Sequence, residues 1–280
     1  MDDLPQGLID RLAEHLLAWF DPNTPYAVAF SGGVDSAVVA AAASRSGAVT
    51  IAVTSRSPSV RNRDIEDSKL VAQNLGLQHH WLDTQEIQSP DYQRNDPRRC
   101  FYCKSHLFSA ISRSYPQFTI LSGTNLDDLG DYRPGLEAAR KAAVRAPLAE
   151  LEIGKNAVRQ LARYWQIAVA DKPASPCLAS RIAYGVAVTE KRLAMIQDAE
   201  HFLCLMLSLE DCRVRIHADD LARIEVEPDA MTEILRPDNR AKILDKFNRL
   251  GFRFVTFDLA GQRSGSLNSV LSISLPAAKL

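Results

Sequence analysis

Two sets of residues carry the chemistry open to this sequence. The first is the hexapeptide Ser31–Ser36, SGGVDS. Gly32 and Gly33 let the backbone approach a ligand closely and take dihedrals closed to other residues. Their N–H groups, with those at the start of a following helix, suit an anion. Ser31 and Ser36 add hydroxyl donors. Asp35 would repel a phosphate unless Mg²⁺ lay between them, so it reads as a metal-linked residue. No GxxxxGK[ST] segment and no GxGxxG after a strand is present, so the Walker and dinucleotide readings fit poorly. A tight strand-to-helix turn without a ligand is the plain alternative. The second set is made of cysteines. Cys100 and Cys103 form C-x-x-C within RRCFYCKSHLF, and Cys177 lies in SPCLASRIAYG. Three thiolates suit zinc, or three irons of a cubane cluster. No fourth ligand stands nearby in sequence, and an iron without a protein ligand is open to a substrate atom or an added sulfide. Spare core thiols are the plain alternative for the C-x-x-C pair.

Elements able to position these residues can be read from the spacing of apolar positions. Residues 8–20 have helical spacing, and 26–30 (YAVAF) form a run of buried-strand length that SGGVDS follows directly. A helix with a glycine stop is expected over 37–47, a strand near 49–54, a helix over 64–76 and a strand over 77–83. Residues 100–115 suit a helix, and 118–125 (FTILSGTN) a fourth strand ending in a loop. Strands alternating with helices predict an α/β fold, a doubly wound parallel sheet covered on both faces. Ligands bind beyond the carboxyl ends of such strands, where SGGVDS, Arg56 and SGTN fall. Arg56 is a candidate there, with a solvated arginine as its alternative. The tail reads differently. Helices are expected over 189–207 and within 229–251, alternating and exposed strands over 212–218 and 222–227, and another strand over 252–259. That pattern predicts a smaller α+β domain over 186–280, after a first domain over 1–185.

Arg213 and Arg215, two apart on a strand, face one side and suit a phosphate; a solvated face is the alternative. Arg181 follows Cys177 by four and could steady an anionic intermediate. Cys204, among apolar residues, reads as a buried core thiol, and Cys212 as structural. The six histidines form no metal-spaced set. A net charge of −1 with 46% hydrophobic and 24% charged residues is ordinary globular composition. It argues against a general nucleic-acid binder. No apolar run reaches the roughly 20 residues of a membrane helix. The acidic start MDDLPQGLID lacks the layout of a signal peptide. Five cysteines, an odd count, argue against a secreted disulfide framework, and a cytoplasmic location is expected.

The hexapeptide after the first strand resembles the PP-loop of the ATP pyrophosphatase superfamily. That resemblance implies splitting of ATP to AMP and pyrophosphate, with AMP passed to the substrate. Gly123, Thr124 and Asn125 then fall where the superfamily closes over the nucleotide. Together with RRCFYC, DYRPG (131–135), SPCLASRIAYG, RVRIHADDLARIEVE and FRFVTFDLAGQRSGSLN, the sequence resembles the LarE family over nearly its whole length. These are ATP-dependent sulfur transferases that make the nickel-pincer nucleotide of lactate racemase. The resemblance implies that two carboxylates of a pyridinium mononucleotide are adenylated and converted to thiocarboxylates. It assigns the SPC cysteine, Cys177, to sulfur delivery. Because Cys100 and Cys103 are also present, it implies a [4Fe–4S] cluster on all three, fed by sulfide or another sulfur donor. It gives Arg213 and Arg215 the substrate phosphate, and places Glu200 and Glu225 near metal or substrate, with an exposed helix or strand carboxylate as the alternative for each. Arg263 and Ser264 are family signature residues of no derivable role. It also implies a homo-oligomer, trimer-based and up to a hexamer. The alternatives are a tRNA thiolase, which calls for a basic surface and an RNA-binding module, an ammonia-dependent ligase with no use for three cysteines, and a non-catalytic nucleotide-binding regulator.

Overall fold

The computed structural model describes residues 4–130, 133–173, 175–263 and 266–267. Asp131 and Tyr132 of the DYRPG motif, and Ser264, lie outside the described residues. In chain order the elements are α1 (Gln6–Ala18), β1 (Tyr26–Ala29), α2 (Val34–Arg45), β2 (Thr50–Arg56), α3 (Asn62–Asn74) and β3 (Gln78–Asp83). There follow α4 (Pro90–Gln93), α5 (Arg99–Ser114), β4 (Thr119–Leu121), α6 (Pro134–Lys141), α7 (Pro147–Glu150) and α8 (Lys155–Tyr164). The remainder are α9 (Glu190–Leu207), β5 (Arg213–Ile216), β6 (Leu221–Glu225), α10 (Met231–Leu235), α11 (Pro237–Leu250) and β7 (Phe254–Phe257). They divide between two compact units, one of Met1–Glu86 with Cys100–Ser175 and one of Ile87–Arg99 with Pro176–Leu280.

The first unit holds a parallel sheet in the order β3-β2-β1-β4. Successive residues of a strand point to opposite faces, and the core divides accordingly. Val28 and Ala52 pack with α1, α2 and α8, whereas Ala27, Ile51, Val53 and Ile120 pack with Leu107, Phe108 and Ile111 of α5. Helices thus cover both faces, as a doubly wound sheet requires. Helix α2 is built from small residues because nearly all of it is enclosed: Val34 and every residue from Ser36 to Ala43 are buried. It ends at Ser46, and Gly47 follows with φ +85°, the stop expected from the sequence.

The second unit has a three-stranded sheet, β5-β6-β7, with β5 antiparallel to β6 and β6 parallel to β7. Asp219 and Asp220 turn the β5–β6 hairpin in left-handed conformations (φ 58° and 50°). The expectation of exposed strands is corrected for β5, where all four residues are buried. Its arginines look like a polar face in sequence, but both are buried, and Arg215 is met by the buried Glu225 carboxylate rather than by water.

Residues 87–99 were not expected in this unit. Buried Asn95 explains their place: its Nδ2 donates to the carbonyls of Ile182, Ala183 and Val186 at 3.2, 2.8 and 2.9 Å. Arg99 adds bonds from Nη1 to Asn95 Oδ1 (2.5 Å) and to the Ala179 carbonyl (2.8 Å). Buried carbonyls demand such partners, so the segment is held by hydrogen bonding that no local pattern announces. Among the described residues no helix is long and apolar enough to cross a membrane.

Candidate functional site

In the first unit the chain leaves β1 and turns through SGGVDS into α2. Gly32 has φ +70°, and a Cβ there would lie 2.6 Å from Ser68 Cα on α3, so only glycine fits. The two serines organise the loop. Gly33 N–H donates to Ser31 Oγ and Ser31 N–H to Ser36 Oγ, both at 3.3 Å, and Ser36 Oγ–H donates to the Gly33 carbonyl at 3.0 Å. The loop therefore keeps its shape from its own hydroxyls, with the positive end of α2 behind it.

The SGTN segment after β4 packs directly on this turn. A Cβ on Gly123 would lie 2.6 Å from Ser36 N, which makes that glycine a steric requirement. Ser122 Oγ donates to Thr124 Oγ1 at 3.1 Å. Buried Asn125 donates from Nδ2 to Asp35 Oδ1 at 3.1 Å. The other Asp35 oxygen accepts from Lys155 Nζ at 2.5 Å, with the two side chains 25% and 36% exposed. The structure thus brings Ser31, Gly32, Gly33, Asp35, Ser36, Gly123, Thr124 and Asn125 together. Arg56 is not joined to them; its guanidinium makes a two-point pair with exposed Asp83 on β3, at 2.7 and 2.9 Å.

Lys155 is the residue that sequence reasoning missed. It opens α8, its own N–H bonded to Asp127 Oδ2 at 2.6 Å. Asp127 N–H is held in turn by Asn125 Oδ1 at 2.9 Å, so the turn that carries Asn125 also anchors the helix start that carries Lys155. A signal was present. Val158, Leu161 and Ala162 mark a helix behind Gly154, and a lysine at the positive end of a helix is unfavourable unless an anion faces it. Nearby, buried Thr54 donates to the Phe30 carbonyl at 2.7 Å and lies 2.8 Å from His79 Nε2. Burial, then His80, holds the His79 imidazole below its ordinary value.

The second unit contains a buried charge network. Arg181 Nε donates to Glu200 Oε1 at 3.0 Å, and its Nη1 reaches the carbonyl of Pro176 at 2.6 Å and that of Cys177 at 3.4 Å. Ser180 Oγ also donates to the Cys177 carbonyl, at 2.7 Å. The backbone of half-buried Cys177 is therefore fixed from several directions. Burial pushes the Glu200 carboxyl up, against Arg181 and the Val214 N–H, which donates to it at 3.0 Å. Arg215 gives Nε and Nη2 to Glu225 Oε2 at 3.0 and 2.8 Å, and Nη1 to the Ser180 carbonyl at 3.0 Å. Arg223 and Ser266 bond the other Glu225 oxygen at 2.9 and 2.8 Å. Burial would raise the Glu225 carboxyl, but Arg215, Ser266 and Arg223 together carry it below the usual range.

Arg213 differs from its neighbour. It is 8% exposed, its Nη1 donates to the Arg263 carbonyl at 2.9 Å, and its Nε is buried without a partner. Among the described residues it has no carboxylate partner. Burial, then repulsion from Arg215 and Arg181, holds its guanidinium below the ordinary value. Such a cation is costly alone and is stabilised by an added anion.

Cys100 and Cys103 are one turn apart on α5, on the same face, exposed and half-buried respectively. Two thiols so placed fit neighbouring ligands of one metal centre. Among the described residues no three His, Cys, Asp or Glu side chains are gathered around a single ion position. Cys204 is half-buried, which corrects its reading as a core thiol, and Cys212 is fully buried.

A family model for asparagine synthase matches residues 12–96, which take in the β1 turn, β2 and β3. The chain is 37% identical over 271 residues to the uncharacterized protein slr1717 of Synechocystis, covering 95% of this chain and 100% of that one. It is 27% identical over 245 residues to the uncharacterized protein MJ0830 of Methanocaldococcus jannaschii, covering 86% and 92%. With the pyridinium-3,5-bisthiocarboxylic acid mononucleotide synthase of Lactiplantibacillus plantarum it shares 32% identity over 252 residues, 88% of this chain and 89% of the relative. Likeness of that extent, with the family model over residues 12–96, places the turn after β1 in a known setting, and this chain belongs to the LarE family of ATP-using PP-loop enzymes.

Proposed function

We propose that the protein is an AMP-forming sulfur transferase that converts the carboxylates of a pyridinium dicarboxylate mononucleotide to thiocarboxylates, in the making of a nickel-pincer cofactor. The observation that carries this reading is the Asp35 carboxylate, held by Asn125 and Lys155 at the mouth of a glycine loop on a helix N-terminus. A carboxylate so placed repels a triphosphate unless a divalent cation joins them, so Asp35 serves as the Mg²⁺ ligand. Lys155 then leaves Asp35 for the phosphate oxygens and offsets charge that gathers on pyrophosphate as it departs. A substrate carboxylate oxygen attacks the α-phosphorus, pyrophosphate leaves, and the acyl group gains AMP as a good leaving group. A sulfur nucleophile adds to the acyl carbon, and AMP departs with the C–O bond electrons.

Cys100, Cys103 and Cys177 would hold a [4Fe–4S] cluster, whose chemistry is to present an exchangeable sulfur on the iron lacking a protein ligand. The chain's own contribution at Cys177 is rigidity, from Ser180 and Arg181 on its carbonyl. Arg213 takes the substrate phosphate, for its guanidinium is buried and, among the described residues, has no carboxylate partner. Arg215 is saturated by Glu225 and the Ser180 carbonyl, and it adds positive charge beside Arg213.

Anaerobically reconstituted protein, given MgATP, sulfide and the dicarboxylate mononucleotide, should release pyrophosphate and form thiocarboxylate over many turnovers. Pyrophosphate release that needs transfer RNA instead, or loss of the Cys177 sulfur after one turnover, would overturn the reading.

A further inference from the structure

Cys204 and Cys212 take no part in the chemistry above, yet they lie together. Their Sγ atoms are 3.6 Å apart across eight residues of chain, sharing an S–H···S hydrogen bond but no disulfide. A disulfide needs about 2.05 Å between sulfurs, so a further approach of about 1.5 Å is required. The intervening chain can supply it. Cys204 lies in the last turn of α9, which ends at Ser208 in a left-handed conformation, and an irregular stretch leads from there to β5. The two thiols differ in access. Cys204 is half-buried and reachable by a small solute, whereas Cys212 is fully buried.

We propose that Cys204 and Cys212 form a redox-active dithiol site that reacts with low-molecular-weight disulfides, and that its oxidation loosens the backbone at Cys177. The Cys204 thiolate attacks one sulfur of the small disulfide, giving a mixed disulfide and releasing one thiol. Cys212 then attacks Cys204 Sγ, closing the internal disulfide and releasing the second thiol. Two protein thiols are oxidised and one small disulfide is reduced to two thiols, which balances atoms and electrons. The hydrogen bond with Cys204, then burial, pushes the Cys212 thiol well up, so its attack relies on proximity rather than on thiolate population.

The route to Cys177 is a short series of contacts within the second unit. The Cys212 S–H donates to the Glu200 carbonyl at 3.5 Å, and disulfide formation removes that proton. The Glu200 carboxylate holds Arg181 Nε and Val214 N–H, and Arg181 Nη1 holds the carbonyls of Pro176 and Cys177. Cys212 also precedes Arg213 directly, so moving its sulfur pulls on the start of β5.

The test uses the full chain, incubated anaerobically with oxidised glutathione, quenched by alkylation and digested with trypsin. Both cysteines fall on one peptide, residues 193–213, since no lysine or arginine lies between them. Wild-type protein should yield that peptide lighter by two hydrogens and unalkylated, restored by dithiothreitol. Cys212→Ala should trap glutathione on Cys204, and Cys204→Ser should leave Cys212 unmodified. Hydrogen exchange of the segment 177–183 should quicken about threefold or more on oxidation in the wild type, and stay unchanged in Cys204→Ser. Full alkylation of both cysteines in the wild type, or a stable glutathione adduct there, would overturn the dithiol site. A disulfide that leaves exchange of 177–183 unaltered would overturn the coupling.

Discussion

Asp35 and Glu225 are both carboxylates met by a cation, yet they are built in opposite ways. Asp35 and Lys155 stay partly exposed, one bond to each oxygen, in a turn shaped by glycines and hydroxyls. Glu225 is wholly buried and accepts from Arg215, Arg223 and Ser266 at once. The first pair can part at little cost, because exposed pairs contribute little and water takes up the charges. The second cannot, because a buried charge that loses its partner has nothing to replace it. A site that must exchange partners during a reaction is built like the first, and a frame that must hold still is built like the second.

Several substitutions would break or sharpen that contrast. The largest loss should come from Glu225→Ala, which leaves buried Arg215 without a carboxylate. A cost of about 3–5 kcal/mol is expected in denaturant unfolding. Gly32→Ala should follow, since left-handed strain and the clash with Ser68 together cost about 1–3 kcal/mol, with loss of nucleotide binding in calorimetry. Lys155→Ala should leave the unfolding midpoint nearly unchanged but slow pyrophosphate release about 100-fold, the scale of one lost electrostatic donor. Arg213→Gln should cost less than about 1 kcal/mol, because it removes a cation with no carboxylate, while raising KM for a phosphate-bearing substrate. If Arg213→Gln were as damaging as Glu225→Ala, the two arginines of β5 would have one role rather than two.

The smallest effect is one of pH. His79 and His217 are held below the ordinary histidine value of 6.5, chiefly by burial. The unfolded chain therefore binds more protons than the folded one as pH falls past 6.5. Stability from the neutral rings is present above that value and is lost below it. His79→Gln should flatten the pH dependence of the unfolding midpoint between pH 7.5 and about 5.5.

The first unit was largely legible because local rules act there. YAVAF, SGGVDS and the alanine-rich run after them state strand, turn and enclosed helix in consecutive residues. The pairing of Arg56 with Asp83 is not legible, because a strand end does not reveal the residue beside it on the neighbouring strand. Lys155 was overlooked because its partner lies 120 residues away in sequence. In the second unit, Arg213 and Arg215 imitate a wet strand face. Only the burial of Glu200 and Glu225 shows that the alternation belongs to an interior. The recruitment of residues 87–99 rests on one asparagine's bonds to distant carbonyls, which no periodicity encodes.

Asn95 also sets an order of events. Its three carbonyl partners lie at Ile182, Ala183 and Val186, after the whole stretch Cys100–Ser175 that belongs to the other unit. As the chain emerges from the ribosome, Asn95 appears early and must wait in water until those carbonyls arrive. The first unit can complete its sheet meanwhile, since β1 to β4 are all made by Leu121. Assembly of the second unit is thereby timed behind the first, and a chain halted at Ser175 would carry a finished sheet beside an orphaned asparagine.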